Sequence, residues 1–246
     1  MRPEVMTDAL IAFIERFDPA FSSKLQGASD EEIARLEALV GRSLPPVYRD
    51  FLRRMGKGMG DFQVPRVSFD IERISGVYED EDRPPARYQL VAVEEQDPYF
   101  DFYLDLEWAS GPDFGVVRFE SFGDLTQKTV SRWALSFHEL LLALACLYKW
   151  LPTFPARTGL LLSSAKLTSM KQPGAALPQL LEQVATRLGF QKVPQSSRHC
   201  LLLERGDAAI FCEVSPRGGP FIEAAAADKA ELARLSEILR DSLPLV

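Results

Sequence analysis

Cysteine and histidine are scarce in this 246-residue chain, which has three of the first and two of the second. Cys146, Cys200 and Cys212 are odd in number and widely spaced, so they form neither a disulfide framework nor a zinc site. Cys146 falls in a leucine-rich helical pattern, and Cys200 and Cys212 fall in two neighbouring strand candidates. Buried thiols are therefore expected rather than a bridge. His138 and His199 are too few for most metal-hydrolase or histidine-based schemes. No apolar stretch approaches the roughly 20 residues that span a bilayer; the longest runs only from Leu140 to Tyr148. The opening MRPEVMTDAL carries charges and no apolar core, so no signal peptide is expected. Walker loop, Gly-x-Ser-x-Gly elbow and His-Glu-x-x-His are all missing. These absences point to a soluble, cytoplasmic, non-enzymatic protein without a cofactor or metal.

The composition itself is that of a globular protein, with 46% hydrophobic and 26% charged residues. A sizeable core is possible, in one large domain or a medium domain plus a small one. The net charge of −7 is uneven: residues 1–60 balance to zero, 61–125 hold 16 acidic and 5 basic side chains, and 126–246 carry a net +4. A negative middle segment repels phosphate backbones and attracts a basic partner. Neither a nucleic acid nor a membrane is expected as partner, and the chain is expected to be a monomer or weak homodimer.

Leu10, Phe13, Ile14 and Phe17 recur at helical spacing and predict a helix over 7–17. Ser29-Asp30-Glu31-Glu32 fits a capping box for a second helix, striped by Ile33, Leu36 and Val40 and ended by Gly41. Leu44-Pro45-Pro46 opens a third, because proline is tolerated at the first helical position. Gly56 and Gly58 stop it. Val64 to Ile71 and Tyr88 to Val93 are strand candidates. From Tyr99 to Trp108 the alternation is strict. Phe100, Phe102, Leu104, Leu106 and Trp108 share one face, and Tyr99, Asp101, Tyr103, Asp105 and Glu107 share the other. That period predicts one buried and one wet face. A turn at 110–113 leads to a strand over 115–120. Ser136-Phe137-His138-Glu139 opens an apolar helix that stops before Pro152. The proline- and serine-containing stretch 153–174 is expected to be a linker. Beyond it, a helix through Leu177 to Leu188, a hairpin around Arg205-Gly206-Asp207, a short strand at 221–224 and a last helix capped by Asp228 make a small appendage over 175–246.

The segment IARLEALVGRSLPPVYRDFLRRMGKGMG, residues 33–60, resembles the signature of the SUKH superfamily. The matching positions are Ile33, Glu37, Gly41, Leu44, Pro45, Pro46, Tyr48, Phe51, Leu52, Gly56 and Gly58. Ser136, Phe137, Glu139 and Leu140 are similar to that superfamily's closing helix. The resemblance covers about residues 5–150 and implies an α+β fold, an antiparallel sheet packed with N-terminal helices and a closing helix, over 1–152. It also implies a binding role. Bacterial members are often immunity proteins that neutralise a cognate protein toxin, and eukaryotic relatives are regulatory scaffolds. Leu44, Pro45, Pro46, Tyr48, Phe51, Leu52 and Gly56 look structural, with prolines and glycines setting helix ends.

The candidate partner-binding residues are acidic. Tyr99, Asp101, Tyr103, Asp105 and Glu107 form the expected wet strand face, Glu94, Glu95 and Asp97 precede it, and Glu79, Asp80, Glu81 and Asp82 add a rim. Clustered carboxylates would steer a basic toxin surface, and the tyrosines would anchor it. The competing reading is an ordinary solvated strand face. A scaffold binding a cellular client is the second functional reading. A third is a metal-dependent hydrolase using Asp101 and Asp105, but residues four apart in a strand lie about 13 Å apart, too far to chelate one ion directly. The Gly56–Gly60 run follows a helix C-terminus, whose dipole repels anions, so a helix stop explains it better than an anion site.

Overall fold

A capping box decides where α2, the helix over Asp30–Val40, begins. A computed structural model describes residues 3–79, 83–96, 100–120, 130–161, 173–197, 199–214, 216 and 220–245. The chain divides into two units, Met1–Leu141 and Leu142–Val246, with the division inside a helix.

In the first unit, α1 (Pro3–Glu15) buries Leu10, Phe13 and Ile14 completely. Helix α2 (Asp30–Val40) has the capping box its sequence announces. The Glu32 N–H donates to Ser29 Oγ at 3.2 Å and the Ser29 N–H donates to the Glu32 carboxylate at 2.8 Å. Gly41 ends it in the left-handed region at φ 79°, where glycine has no Cβ penalty. Helix α3 (Pro46–Met55) starts with Pro46 and buries Val47, Tyr48, Phe51, Leu52 and Met55. A Cβ on Gly56 would lie 2.6 Å from the Leu52 carbonyl oxygen, so only glycine fits there.

The strand expected over Val64–Ile71 is mostly something else. Only Val67–Ser68 is a strand, and Ile71–Glu79 is helix α4. Ile71, Ile74, Ser75 and Tyr78 are its buried positions, a spacing of three, four and seven that defines a helix face. Asp70 caps it by accepting the Glu72 N–H at 2.7 Å.

Strands β1 (Leu25–Gln26) and β2 (Gly58–Met59) form a two-stranded antiparallel sheet. Strands β3 (Val67–Ser68), β4 (Tyr88–Glu94), β5 (Phe100–Ser110), β6 (Asp113–Glu120) and β7 (Ser131–Ala134) follow one another across a second sheet. β7 lies in a stretch with no strand expectation. The β5–β6 register slips between Leu104 and Ala109, and burial alternates only over Leu106–Ser110, after an unbroken buried run from Asp101 to Asp105. A Cβ on Gly115 would lie 2.1 Å from the Trp108 ring, and the indole occupies the room that glycine leaves. Helix α5 (Phe137–Ala145) is capped twice: Ser136 Oγ accepts the Glu139 N–H at 3.1 Å, and Asp113 accepts the His138 N–H at 2.9 Å.

Phe51 is the centre of the first core. Its ring meets Phe137 edge-on at 5.2 Å and Phe69 at 5.9 Å, with Tyr48 beside it. Among the described residues the buried Tyr48 hydroxyl has no hydrogen-bond partner, which costs about 1–3 kcal/mol of desolvation. Tyr48→Phe removes that cost and keeps the ring. The variant should be as stable as the parent or about 1 kcal/mol more so in urea unfolding, and a clear loss of stability would mean that the hydroxyl is satisfied.

In the second unit, a π-helical turn (Cys146–Trp150) and a 3-10 turn (Leu151–Thr153) follow α5. Strand β8 (Ala156–Leu160) comes next, within the stretch expected to be linker. Helix α6 (Pro173–Arg187), β9 (Gln191–Lys192), β10 (Cys200–Arg205), β11 (Ala208–Glu213), β12 (Phe221–Ala226) and α7 (Lys229–Ser242) complete it. The sheet order is β8-β12-β11-β10-β9, with every pair antiparallel. Leu177, Leu181, Leu203, Ile210, Leu235 and Leu239 share its core. Cys200 pairs with Glu213 while Leu201 pairs with Cys212. The two thiols therefore point to opposite faces of the sheet. The three cysteines form no disulfide and all are buried, and burial pushes Cys212 up to about 12 and raises Cys146. Such thiols are poor nucleophiles.

Glu231 accepts from Arg234 at 2.7–2.8 Å and also pairs with Arg205, which grips Asp207. Arg234 first, then Arg205, hold the Glu231 carboxyl at about 2, against an ordinary 4.5. A depressed carboxylate adds stability above its unfolded pKa and loses it as pH falls toward its folded one. The advantage of the parent over Glu231→Gln in urea midpoint should therefore be full above about pH 5 and fade toward pH 2; a pH-independent difference would contradict this.

Candidate functional site

The acidic strand does not have the wet face that its alternation suggests. Asp101 is 2% exposed, Tyr103 2% and Asp105 3%. The physical reason is that both faces of central β5 are covered, so period two marks a strand here without marking a solvent side. Asp101 accepts the Glu94 N–H at 2.8 Å, and the Tyr103 hydroxyl lies 3.4 Å from its other oxygen. The Tyr103 ring stacks on Phe119 at 4.0 Å, and Tyr88 closes the cluster.

Asp105 is held in a two-pronged clamp. Arg87 Nε and Nη2 donate to its two oxygens at 2.7 Å each, and the Glu107 N–H adds a bond at 3.1 Å. Burial pushes its pKa up, but the Arg87 bonds, the Glu107 N–H and the charges of Arg87 and Arg132 outweigh burial and leave it lowered. Phe100, assigned to the buried face, is 37% exposed.

The remaining candidates are scattered. Glu107 is exposed and shares Arg87 at 2.9 Å. Glu94 pairs with Arg118, whose guanidinium lies 4.2 Å from the Phe102 ring centre and 4.5 Å from that of Trp133. Glu79 is exposed at the end of α4. Asp80, Glu81, Asp82, Asp97 and Tyr99 lie outside the described residues. Much of the middle segment's acidity thus performs structural tasks: Asp70 and Asp113 cap helices, and Asp105 and Glu94 pair with arginines. Among the described residues, no group of three or more His, Cys, Asp or Glu side chains is placed to hold a metal ion. None of their helices is long and apolar enough to cross a membrane.

Glu95 leads to a different surface. It lines an open groove of about 710 Å³ with residues 57–60, 62–70 and Met55. Phe62 and Phe69, 1% and 4% exposed, give it an apolar floor, and Arg66 and Glu95 stand exposed on its lining. Lys57 is shared between Glu32 at 2.7 Å and Glu72 at 4.0 Å. Among the described residues, neither Arg66 nor Glu95 has an ion-pair partner. Arg66 takes φ 65°, a left-handed conformation costing about 1–2 kcal/mol for a residue with a Cβ. Its carbonyl accepts the Glu95 N–H at 2.8 Å. The sequence gives one local sign of this surface: Gly56, Gly58, Gly60 and Pro65 interrupt any regular strand. It gives no sign that Glu95 joins it.

Residues 27–142 match the SMI1 / KNR4 family (SUKH-1). The chain carries a SUKH-superfamily domain. No curated protein and no solved structure matches the chain. The SUKH match takes in α2, α3, α4, the five-stranded sheet and the start of α5. Every residue lining the groove falls within it. Residues 143–246 lie outside it, and with them the β8–β12 sheet and helices α6 and α7.

Proposed function

We propose that this chain is an immunity-type protein, a non-catalytic, cytoplasmic binder that neutralises a cognate bacterial protein toxin by stoichiometric contact. The observation that carries the reading is the SUKH match over residues 27–142, which encloses the whole groove. The groove suits a protein partner. Its floor is apolar, and Arg66 and Glu95, of opposite sign and without an ion-pair partner among the described residues, favour a polar rim over a single-sign patch.

The acidic contribution to binding rests on exposed carboxylates, Glu79, Glu95 and Glu107, with the net charge of −7 behind them. Asp101 and Asp105 contribute to folding instead. Such carboxylates speed the approach of a basic toxin, and salt screens them.

Titration calorimetry with the C-terminal domain of the toxin encoded beside this chain tests the reading. The expected result is a one-to-one complex. Arg66→Glu should weaken it by at least about tenfold, the equivalent of 1.4 kcal/mol. Absence of any complex would sink the proposal.

A further inference from the structure

The groove is lined by two strands that each end a sheet. β2 is the last strand of the β1–β2 sheet, and β3 is the first of the β3–β7 sheet among the described residues. Gly58 and Met59 of β2 and Val67 and Ser68 of β3 all line the same 710 Å³ space. We infer that this groove receives an extended segment of the partner protein, which pairs by its backbone with the β3 edge and adds a strand to the SUKH sheet. The inference rests on the immunity reading for the identity of the partner.

The backbone of β3 supplies the pairing groups. In an antiparallel pair, alternate residues bond to the neighbour and those between face away. β3 registers Val67 against Glu94 and Ser68 against Val93, and the Arg66 carbonyl accepts from the Glu95 N–H. The backbone groups of Arg66 and Ser68 therefore serve β4, while those of Val67 and of Phe69, the residue after β3, face away from it. The Val67 N–H is taken by the Val64 carbonyl at 3.2 Å. Among the described residues, the Val67 carbonyl and the Phe69 N–H have no partner. An acceptor and a donor two residues apart on one edge are what an added strand pairs with.

The dimensions agree. One extended residue in a packed sheet takes about 3.3 Å along the strand, 4.8 Å across it and 10 Å through it, roughly 160 Å³. A groove of 710 Å³ then holds about four residues. Their side chains alternate: one face meets Phe62 and Phe69, and Arg66 and Glu95 stand beside the other or at the ends. The occupant is thus a short strand with apolar residues at alternate positions. The left-handed turn at Arg66 holds that edge in place, since its carbonyl anchors β3 to the end of β4.

Residue-resolved amide exchange by NMR, on the full chain alone and saturated with the adjacent toxin's C-terminal domain, tests this. Binding should slow exchange of the Phe69 amide by at least about tenfold, with slower exchange at Met59 supporting a strand that also touches β2. A complex that leaves Phe69 exchange unchanged overturns the strand-addition mode while the immunity reading stands. Failure of the domain to bind at all overturns both.

Discussion

Asp105→Lys is expected to cost the SUKH domain about 3–5 kcal/mol of stability. Asp105 is 3% exposed and clamped by two 2.7 Å bonds from Arg87. Removing the carboxylate strands the guanidinium, and lysine adds a second positive charge to the same site. The Arg87 side chain is 43% exposed, so water takes up part of the loss, and Asp105→Ala should fall at or below the low end of that range. The lysine variant has no such relief, because its ammonium would have to leave water. Domains of this kind have about 5–15 kcal/mol in total, so the loss is a large fraction of the domain's stability. Guanidinium unfolding of the parent and Asp105→Lys measures this directly. Glu107→Lys is the control: its side chain is 68% exposed, and it should change stability by less than about 1 kcal/mol. If the lysine at 105 were tolerated as well as the one at 107, the carboxylate at 105 would be a surface group after all.

Phe51→Ala should cost about as much, 3–5 kcal/mol, for a different reason. Phe51 is fully buried and contacts the rings of Tyr48, Phe69 and Phe137. Truncation leaves a cavity among three large rings borne on three different elements, which collapse incompletely. The loss is the transfer free energy plus the cavity term. Phe69 also floors the groove, so the variant should loosen the groove before the sheet gives way. Phe51→Leu, which refills most of the volume, should recover the larger part of the loss in the same unfolding assay. Recovery of none would mean that ring geometry rather than volume decides the site.

Several elements follow from local chemistry and are legible without any tertiary knowledge. The α2 capping box, the left-handed Gly41 and Pro46 at the head of α3 are properties of a few neighbouring residues. The hairpin β10–β11 and the Asp228 cap of α7 are of the same kind. Helix α4 is only partly legible: Ile71, Ile74 and Tyr78 keep helical spacing, but Val67, Phe69 and Ile71 also alternate, a pattern that points to a strand. β8 is an antiparallel partner of β12 some 60 residues away, so proline and serine content nearby said nothing of it.

The candidate site was legible in composition and misread in geometry. Alternation along β5 identified a strand but did not reveal that both faces are covered. Arg87 meets Asp105 only through the β4–β5 register, which sets Tyr88 opposite Asp105. The slip after Leu104 then re-aims Trp108 onto Gly115. The groove is a tertiary feature, because Glu95 joins residues 55–70 only by strand pairing. The SUKH resemblance over 33–60 was the stronger guide, since it rests on helix ends and core positions.

The residues that follow the SUKH match contain the β8–β12 sheet and a core of its own. Its thiols are buried and unreactive, and Glu231 pairs with both Arg205 and Arg234.

The central claim is that this chain acts by occupying its partner, one molecule to one. The most direct measurement is a titration of the activity of the toxin proposed as its partner, at fixed toxin and rising concentration of this protein, with toxin well above the dissociation constant. A straight decline to zero activity at equimolar protein is the expected result. Complete inactivation at a small fraction of an equivalent would reveal turnover, and activity that persists past many equivalents would show that the two never meet.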